Sequence, residues 1–227
     1  MKKWLVVAAS VLALSGCKVD VETKVNTDDL TSVDHKVVKG DINVEVSSCT
    51  HYEDSRQDSK DLIKLKQKIP TIFTNAEYVE CYRKNFDSYA HFTIPVAVGV
   101  LPDDGQLGDK ADIFILSHQK TYAGAVIPKD VLDKIKKAQK DMMGKLNIRM
   151  SIILERGNKP VPTLISLGTY MTSAKNKDYP LVADGINLAK EMKFRLSDVS
   201  NSALSNGEFV PFLVTSDYFD FLRKDKK

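Results

Sequence analysis

The groups that could do chemistry in these 227 residues are three cysteines, four histidines and scattered carboxylates. Cys17, Cys49 and Cys81 include no Cys-x-x-Cys pair, and no histidine stands where it would complete a zinc set with them. His51, with Glu53 and Asp54 close to Cys49, is the densest local set of metal-binding atoms, but a polar loop of this kind reads as solvent-facing. Asp103, Asp104, Asp109 and Asp112 gather around Gly105 in the manner of a calcium loop. An EF-hand loop starting at Asp103 would place Gly105 and Leu107 where oxygen ligands are required, so a solvated turn is expected. His35, His91 and His118 are widely separated, and the last two fall on expected strands, where a polar-face role is the simpler reading. Neither a metal nor a cofactor is expected.

The glycines remove the common catalytic motifs. No two stand four apart, which excludes the Gly-x-Ser-x-Gly elbow, and none stand two or five apart, which excludes the dinucleotide fingerprint and the P-loop. His-Glu-x-x-His is absent too. An active site can still be assembled from scattered residues, so an envelope hydrolase with an unrecognised site stays as the alternative to a non-catalytic role.

Lys2 and Lys3, the apolar stretch from Trp4 to Leu14 and the small residues after it have the three parts of a secretory signal. The stretch is too short to span a bilayer, which takes roughly 20 apolar residues. Leu14-Ser15-Gly16-Cys17 resembles the lipobox of bacterial lipoproteins, cleaved by the type II signal peptidase. The resemblance implies that residues 1–16 are removed, that the Cys17 thiol receives a diacylglycerol and that the new amino group is acylated. Two or more acyl chains hold a protein stably on a membrane, since each buried methylene contributes about 0.8 kcal/mol. Ordinary secretion with Cys17 left as a thiol is the other reading. Lys18 after the cysteine resembles the pattern sent to the outer membrane in enterobacteria-like hosts. The implied address is the bacterial cell envelope, on the outer membrane and facing the periplasm. Cys17-Lys18-Val19-Asp20-Val21, Asn26-Thr27-Asp28-Asp29 and Gly40-Asp41-Ile42 also resemble β-rich lipoproteins of unknown role.

With Cys17 acylated, Cys49 and Cys81 are the remaining thiols, in a compartment that favours oxidation. A disulfide between them closes a loop of about thirty residues, for which loop entropy suggests roughly 3 to 4 kcal/mol.

Composition, 43% hydrophobic and 28% charged, is that of a folded globular chain. The formal charge of +3 falls to about +1 without Lys2 and Lys3, which is no footprint for nucleic acid. Residues 17–35 read as lipidated terminus and tether or first strand, and 36–227 as one domain, with two lobes dividing near 121–128 as the variant. Ile42, Val44 and Val46 alternate with polar residues as in a half-buried strand. Two principal helices are expected, about 58–69 with Asp58 as cap and Pro70 as stop, and 128–143 with Gly144 at its end. The second carries a face of Lys129, Lys134, Lys136, Lys137 and Lys140 that is either solvated or turned to anionic lipid. Hairpins are expected across residues 84–87, across 102–105 joining 94–101 to 113–118, and across 156–159 joining 146–154 to 161–170. Strands near 188–196 and 209–214, then a helical turn at Asp217, complete the pattern.

The expected class is therefore α+β, mainly antiparallel sheet built from hairpins. Tyr78, Tyr82, Phe86 and Tyr89 cluster near the expected disulfide and form a candidate ligand groove, core and sheet-surface packing being the plainer role. The combined expectation is a membrane-anchored envelope lipoprotein acting as a binding, assembly or structural module. A phage- or plasmid-borne envelope modifier would fit, with an envelope protein, a glycan or a lipid as partner.

Overall fold

A computed structural model describes residues 18–108, 111–141, 147–172, 178–180, 185–186, 188 and 190–218. Cys17, the signal segment, Asp109, Gly144 and the lysine-rich tail lie outside the described residues. The elements are β1 (Lys18–Asn26), α1 (Thr27–Leu30), β2 (Lys36–Val46), α2 (Lys60–Ile72), β3 (Glu77–Lys84), β4 (Asp87–Val100), β5 (Ile113–His118) and β6 (Thr121–Val126). Then come α3 (Lys129–Asp141), β7 (Asn147–Glu155), β8 (Leu164–Ser166), β9 (Thr169–Thr172), β10 (Asp178–Pro180), β11 (Gly185–Ile186), β12 (Glu191–Leu196), α4 (Asp198–Ser205) and β13 (Val210–Thr215). The fold is α+β, dominated by mainly antiparallel sheet as the hydrophobic alternation predicts.

The strands form one sheet in the order β10-β9-β12-β7-β1-β2-β4-β5-β6-β13-β8-β11, with β3 paired to β4 beside this path. Only Leu167 and Gly168 separate β8 from β9, although these strands belong to opposite arms of the sheet. The arms therefore meet at that turn, and the sheet curls around one main core. Phe194 on β12 and Phe212 on β13, both fully buried, bring their rings to 6.0 Å of one another across it. The core takes Ile42, Val44 and Val46, every second residue of β2, and Val19, Val21 and Val25 from β1, where buried Thr23 completes the same alternation. Helices α2 and α3 add Leu62, Leu65, Ile69 and Ile72, and Val131, Leu132, Ile135 and Ala138, so residues on both sides of 121–128 share one interior.

Several expectations need correction. Of the two readings of residues 17–35, tether or first strand, residues 18–26 take the second: from Lys18 onward β1 lies centrally, antiparallel to β2 and parallel to β7. The pair expected to be a hairpin across 102–105 is parallel, Val96 facing Ile113 and Val100 facing Ser117. The connecting loop runs back along the sheet, and its Leu101, Leu107 and Ala111 cover Ala97, Phe114 and Leu116 in a second, smaller core. Its Asp104 only caps the Gln106 N–H, and Asp112 is buried instead of facing a turn.

The expected hairpin across 156–159 does not form either, because β7 pairs with β1 and β12. The backbone N–H groups of Asn158 and Lys159 donate to the two carboxylate oxygens of Asp28 at 2.8 and 2.9 Å, and that of Gly157 donates to Thr27 Oγ1 at 2.8 Å. Those donors hold the Asp28 carboxyl below its ordinary range. In α2 the cap is Ser59, whose Oγ accepts from the Leu62 N–H at 3.1 Å, while Asp58 pairs with Lys66; Pro70 sits inside the last turn. Helices α1 and α4, one and two turns long, carry no marked apolar stripe in the sequence.

Candidate functional site

Residues that alternate with the core positions project from the other face of the sheet, and on the β3-β4-β2-β1-β7-β12-β9 arm they line a groove of about 970 Å³. Register explains how residues remote in sequence meet there. One row runs straight across five strands: Glu80 faces His91, His91 faces Asn43, Asn43 faces Asp20 and Asp20 faces Arg149. The next row runs from Asp41 through Glu22 and Ser151 to Arg195 and Tyr170. A β-bulge between Tyr78 and Glu80 sets which side chains of β3 turn outward.

The floor is bound together by polar contacts. Arg149 Nε and one terminal guanidinium nitrogen donate to the two oxygens of Asp20 at 2.7 and 2.9 Å, a bidentate pair that fixes both planes. Lys193 donates to Glu22, His91 Nε2 lies 2.8 Å from Asp41 Oδ1, and the Tyr82 hydroxyl donates to Asn43 Oδ1 at 3.0 Å. The Tyr82 and Tyr89 rings stack at 5.7 Å to form one wall, and the Arg195 guanidinium lies 5.1 Å over the Tyr170 ring at the other. Burial, then the charges of Asp20, Glu80, Asp41 and Glu22, raise the Tyr82 hydroxyl above its ordinary range. Tyr89 is raised by burial and then by Asp87 and Glu45, so both phenols stay protonated and act as donors.

The aromatic cluster expected from the sequence is divided by the structure. Tyr82 and Tyr89 lie in the groove. Tyr78 is turned the other way by the bulge, with its edge on Phe92 at 5.5 Å and Lys66 Nζ 4.0 Å over its face. Phe86 is at the tip of the β3–β4 hairpin and wholly exposed. Cys49 and Cys81 are joined by a disulfide with their Cα atoms 5.6 Å apart, tying the segment after β2 to β3. In the His51 loop, Asp54 is engaged by Arg56, and among the described residues no three His, Cys, Asp or Glu side chains gather as a metal site. Asp20, Asp41, Arg149 and Arg195 carried no local signal, because each is one polar residue on an alternating strand and only register brings them together.

A family model described as a domain of unknown function, DUF7424, matches residues 19–220. The chain belongs to the DUF7424 family. The match spans the curled sheet from β1 through β13, so the groove is a feature of the DUF7424 domain and not of an appended segment. Neither the curated proteins nor the solved structures contain a match to this DUF7424 chain. Among its described residues no helix is long and apolar enough to cross a membrane.

Proposed function

We propose that this protein is a lipoprotein of the bacterial envelope, acylated at Cys17 and held at the outer membrane facing the periplasm, whose DUF7424 domain binds a hydroxyl-rich glycan in the groove without catalysis. The single observation that carries the binding reading is the groove floor: planar donors and acceptors fixed on adjacent strands between two tyrosine walls. Rigid strands hold such groups better than loops do. Arg149 has five N–H donors and lines the groove while Asp20 engages two of its nitrogens, so its donor capacity exceeds what that pair uses. The lining is polar and open, which suits sugar hydroxyls and not an acyl chain, since sites for apolar ligands are enclosed and mostly apolar. Asp20, Glu22 and Asp41 each face a cationic or imidazole partner, an arrangement that fixes hydrogen-bond geometry.

The test is titration of the domain with oligosaccharides released from peptidoglycan and from lipopolysaccharide core, followed by NMR shifts of backbone amides. Saturable shifts confined to the groove strands β1, β2, β3, β4, β7, β9 and β12 are expected. Tyr82→Ala should weaken binding by roughly 2- to 10-fold, the aromatic-platform contribution being about 0.5–1.5 kcal/mol. Shifts that map elsewhere, or an affinity indifferent to Tyr82→Ala, would contradict the reading.

A further inference from the structure

Exposed apolar side chains on either side of the first described residue point to a second function for one rim of the sheet. Lys18 opens β1 and is held in register opposite Asn147, the first residue of β7. Cys17 is therefore joined by a single peptide bond to a residue held in the sheet. The same rim carries the β3–β4 turn, because β2 ends at Val46 opposite Ser88 and Lys84 faces Asp87. At the tip of this turn Asn85 adopts φ 58°, and Phe86 is 100% exposed. Two-residue hairpin turns call for Gly, Asn or Asp, and a phenyl ring held in water there stabilises nothing in the fold. On the other side, β12 runs antiparallel to β7 and its end leads into α4, where Val199 is 81% exposed.

In sheet order β4 is two strands from β1 on one side and β12 is two strands from it on the other. Neighbouring strands lie about 4.8 Å apart, so β4 and β12, the strands that lead to Phe86 and Val199, flank β1 at roughly 10 Å on either side. Resting on the reading that Cys17 is acylated, we propose that this rim docks on the bilayer that holds the acyl chains, with Phe86 and Val199 seated in its interfacial layer. The acyl chains supply attachment; the two side chains supply orientation, because one flexible attachment leaves a domain free to tumble whereas three points define a plane. Asn85, Asp87 and Asp198 line the groove at this same rim, so a seated domain presents the groove's lower end to the membrane surface. A glycan rooted in that membrane would enter without leaving it.

The protein supplies its own blank for the test: its one tryptophan, Trp4, lies in the segment removed with the signal. Phe86→Trp, Val199→Trp and, at the opposite rim, Val33→Trp, whose parent side chain is 84% exposed, place single reporters on exposed positions. Each mature protein is purified from membranes, checked by intact mass for acyl chains, and reconstituted into phosphatidylethanolamine–phosphatidylglycerol vesicles with and without brominated acyl chains. Emission from positions 86 and 199 should shift to the blue and be quenched by brominated lipid, while position 33 keeps water-like, unquenched emission. Acylated protein with no quenching at 86 and 199, or with equal quenching at all three, overturns the docking and leaves the anchor standing. Absence of acyl mass removes the anchor and the docked rim with it.

Discussion

Removing the Cys49–Cys81 bridge tests how far the groove depends on a covalent tie outside the sheet. The half-cystines are 32 positions apart, and the bond links the segment after β2 to β3, a strand that pairs only with the first half of β4. Loop entropy for n of about 32 amounts to about 12 cal/mol/K, or about 3.7 kcal/mol at 25 °C. Packing around Cys81 is only partly buried, so truncation to alanine adds little to that loss. With a urea m-value of about 2–3 kcal/mol/M for a domain of this size, the Cys49→Ala/Cys81→Ala protein should unfold about 1–2 M earlier than the oxidised parent. The same strand carries Glu80 and Tyr82, so reduction should weaken glycan binding at urea concentrations where the far-ultraviolet signal is still native. Urea titrations of the oxidised, reduced and double-alanine proteins, read by circular dichroism, decide it. A loss below about 1 kcal/mol would refute the entropic argument, and two freely alkylated thiols in the native protein would refute the bridge.

Phe194→Ala should cost about 3–5 kcal/mol in chemical unfolding, because it empties the contact with Phe212 where the two arms of the sheet meet; a loss under about 1 kcal/mol would mean the arms do not share a core. Gly157→Ala should destabilise by about 1–3 kcal/mol, since a Cβ there would stand 2.3 Å from the Asp28 carboxyl carbon and 2.4 Å from Asn26 Oδ1; an unchanged unfolding midpoint would contradict that packing. Asp112 is pushed above its ordinary range by burial, against the lowering effects of Thr74 and Lys134. The folded state then holds this proton more tightly than the unfolded chain, so its contribution to stability is full below the unfolded value near 3.8 and is lost as pH rises through the folded value. Asp112→Asn should remove that loss, and the difference in unfolding free energy between variant and parent, measured from pH 3 to 7, should grow in the variant's favour; a pH-independent difference would count against it. Asp28 has the opposite sign: lowered by the Asn158 and Lys159 N–H groups, it stabilises above the unfolded value and ceases to do so as pH falls through its folded one. Asp28→Asn should therefore flatten part of the acid limb of the same titration, and an identical acid limb would show that the dock of the 157–159 turn contributes nothing.

Local pattern made much of this fold legible, and pairing made the rest opaque. The alternation of Ile42, Val44 and Val46 and the apolar stripe of α3 follow from the periods of strand and helix, so β2 and α3 were readable from their own residues. Strand β1 alternates equally well through Val19, Val21 and Val25, but its charged outer residues resemble a tether until their partners Arg149 and Lys193 are known. Arg156-Gly157-Asn158-Lys159 has ideal turn chemistry, yet its donors are satisfied by Asp28, some 130 positions away, and not by a hairpin. The parallel pairing of β4 with β5 escaped for a similar reason: a short loop rich in turn residues favours a hairpin locally, and only burial of Phe114 and Leu116 beneath that loop reverses it. The groove was half visible. Tyr82 and Tyr89 announced themselves as aromatics on strands, whereas its ionic floor draws one residue from each of several strands and exists only through register.

The proposed location, orientation and access to an envelope glycan all rest on acylation of Cys17, and intact mass spectrometry of the protein extracted from native membranes tests it most directly. The account predicts a polypeptide that begins at Cys17 and carries the mass of a diacylglycerol and an amide-linked acyl chain. A species beginning at Met1, or one beginning at Cys17 without added acyl mass, would contradict it.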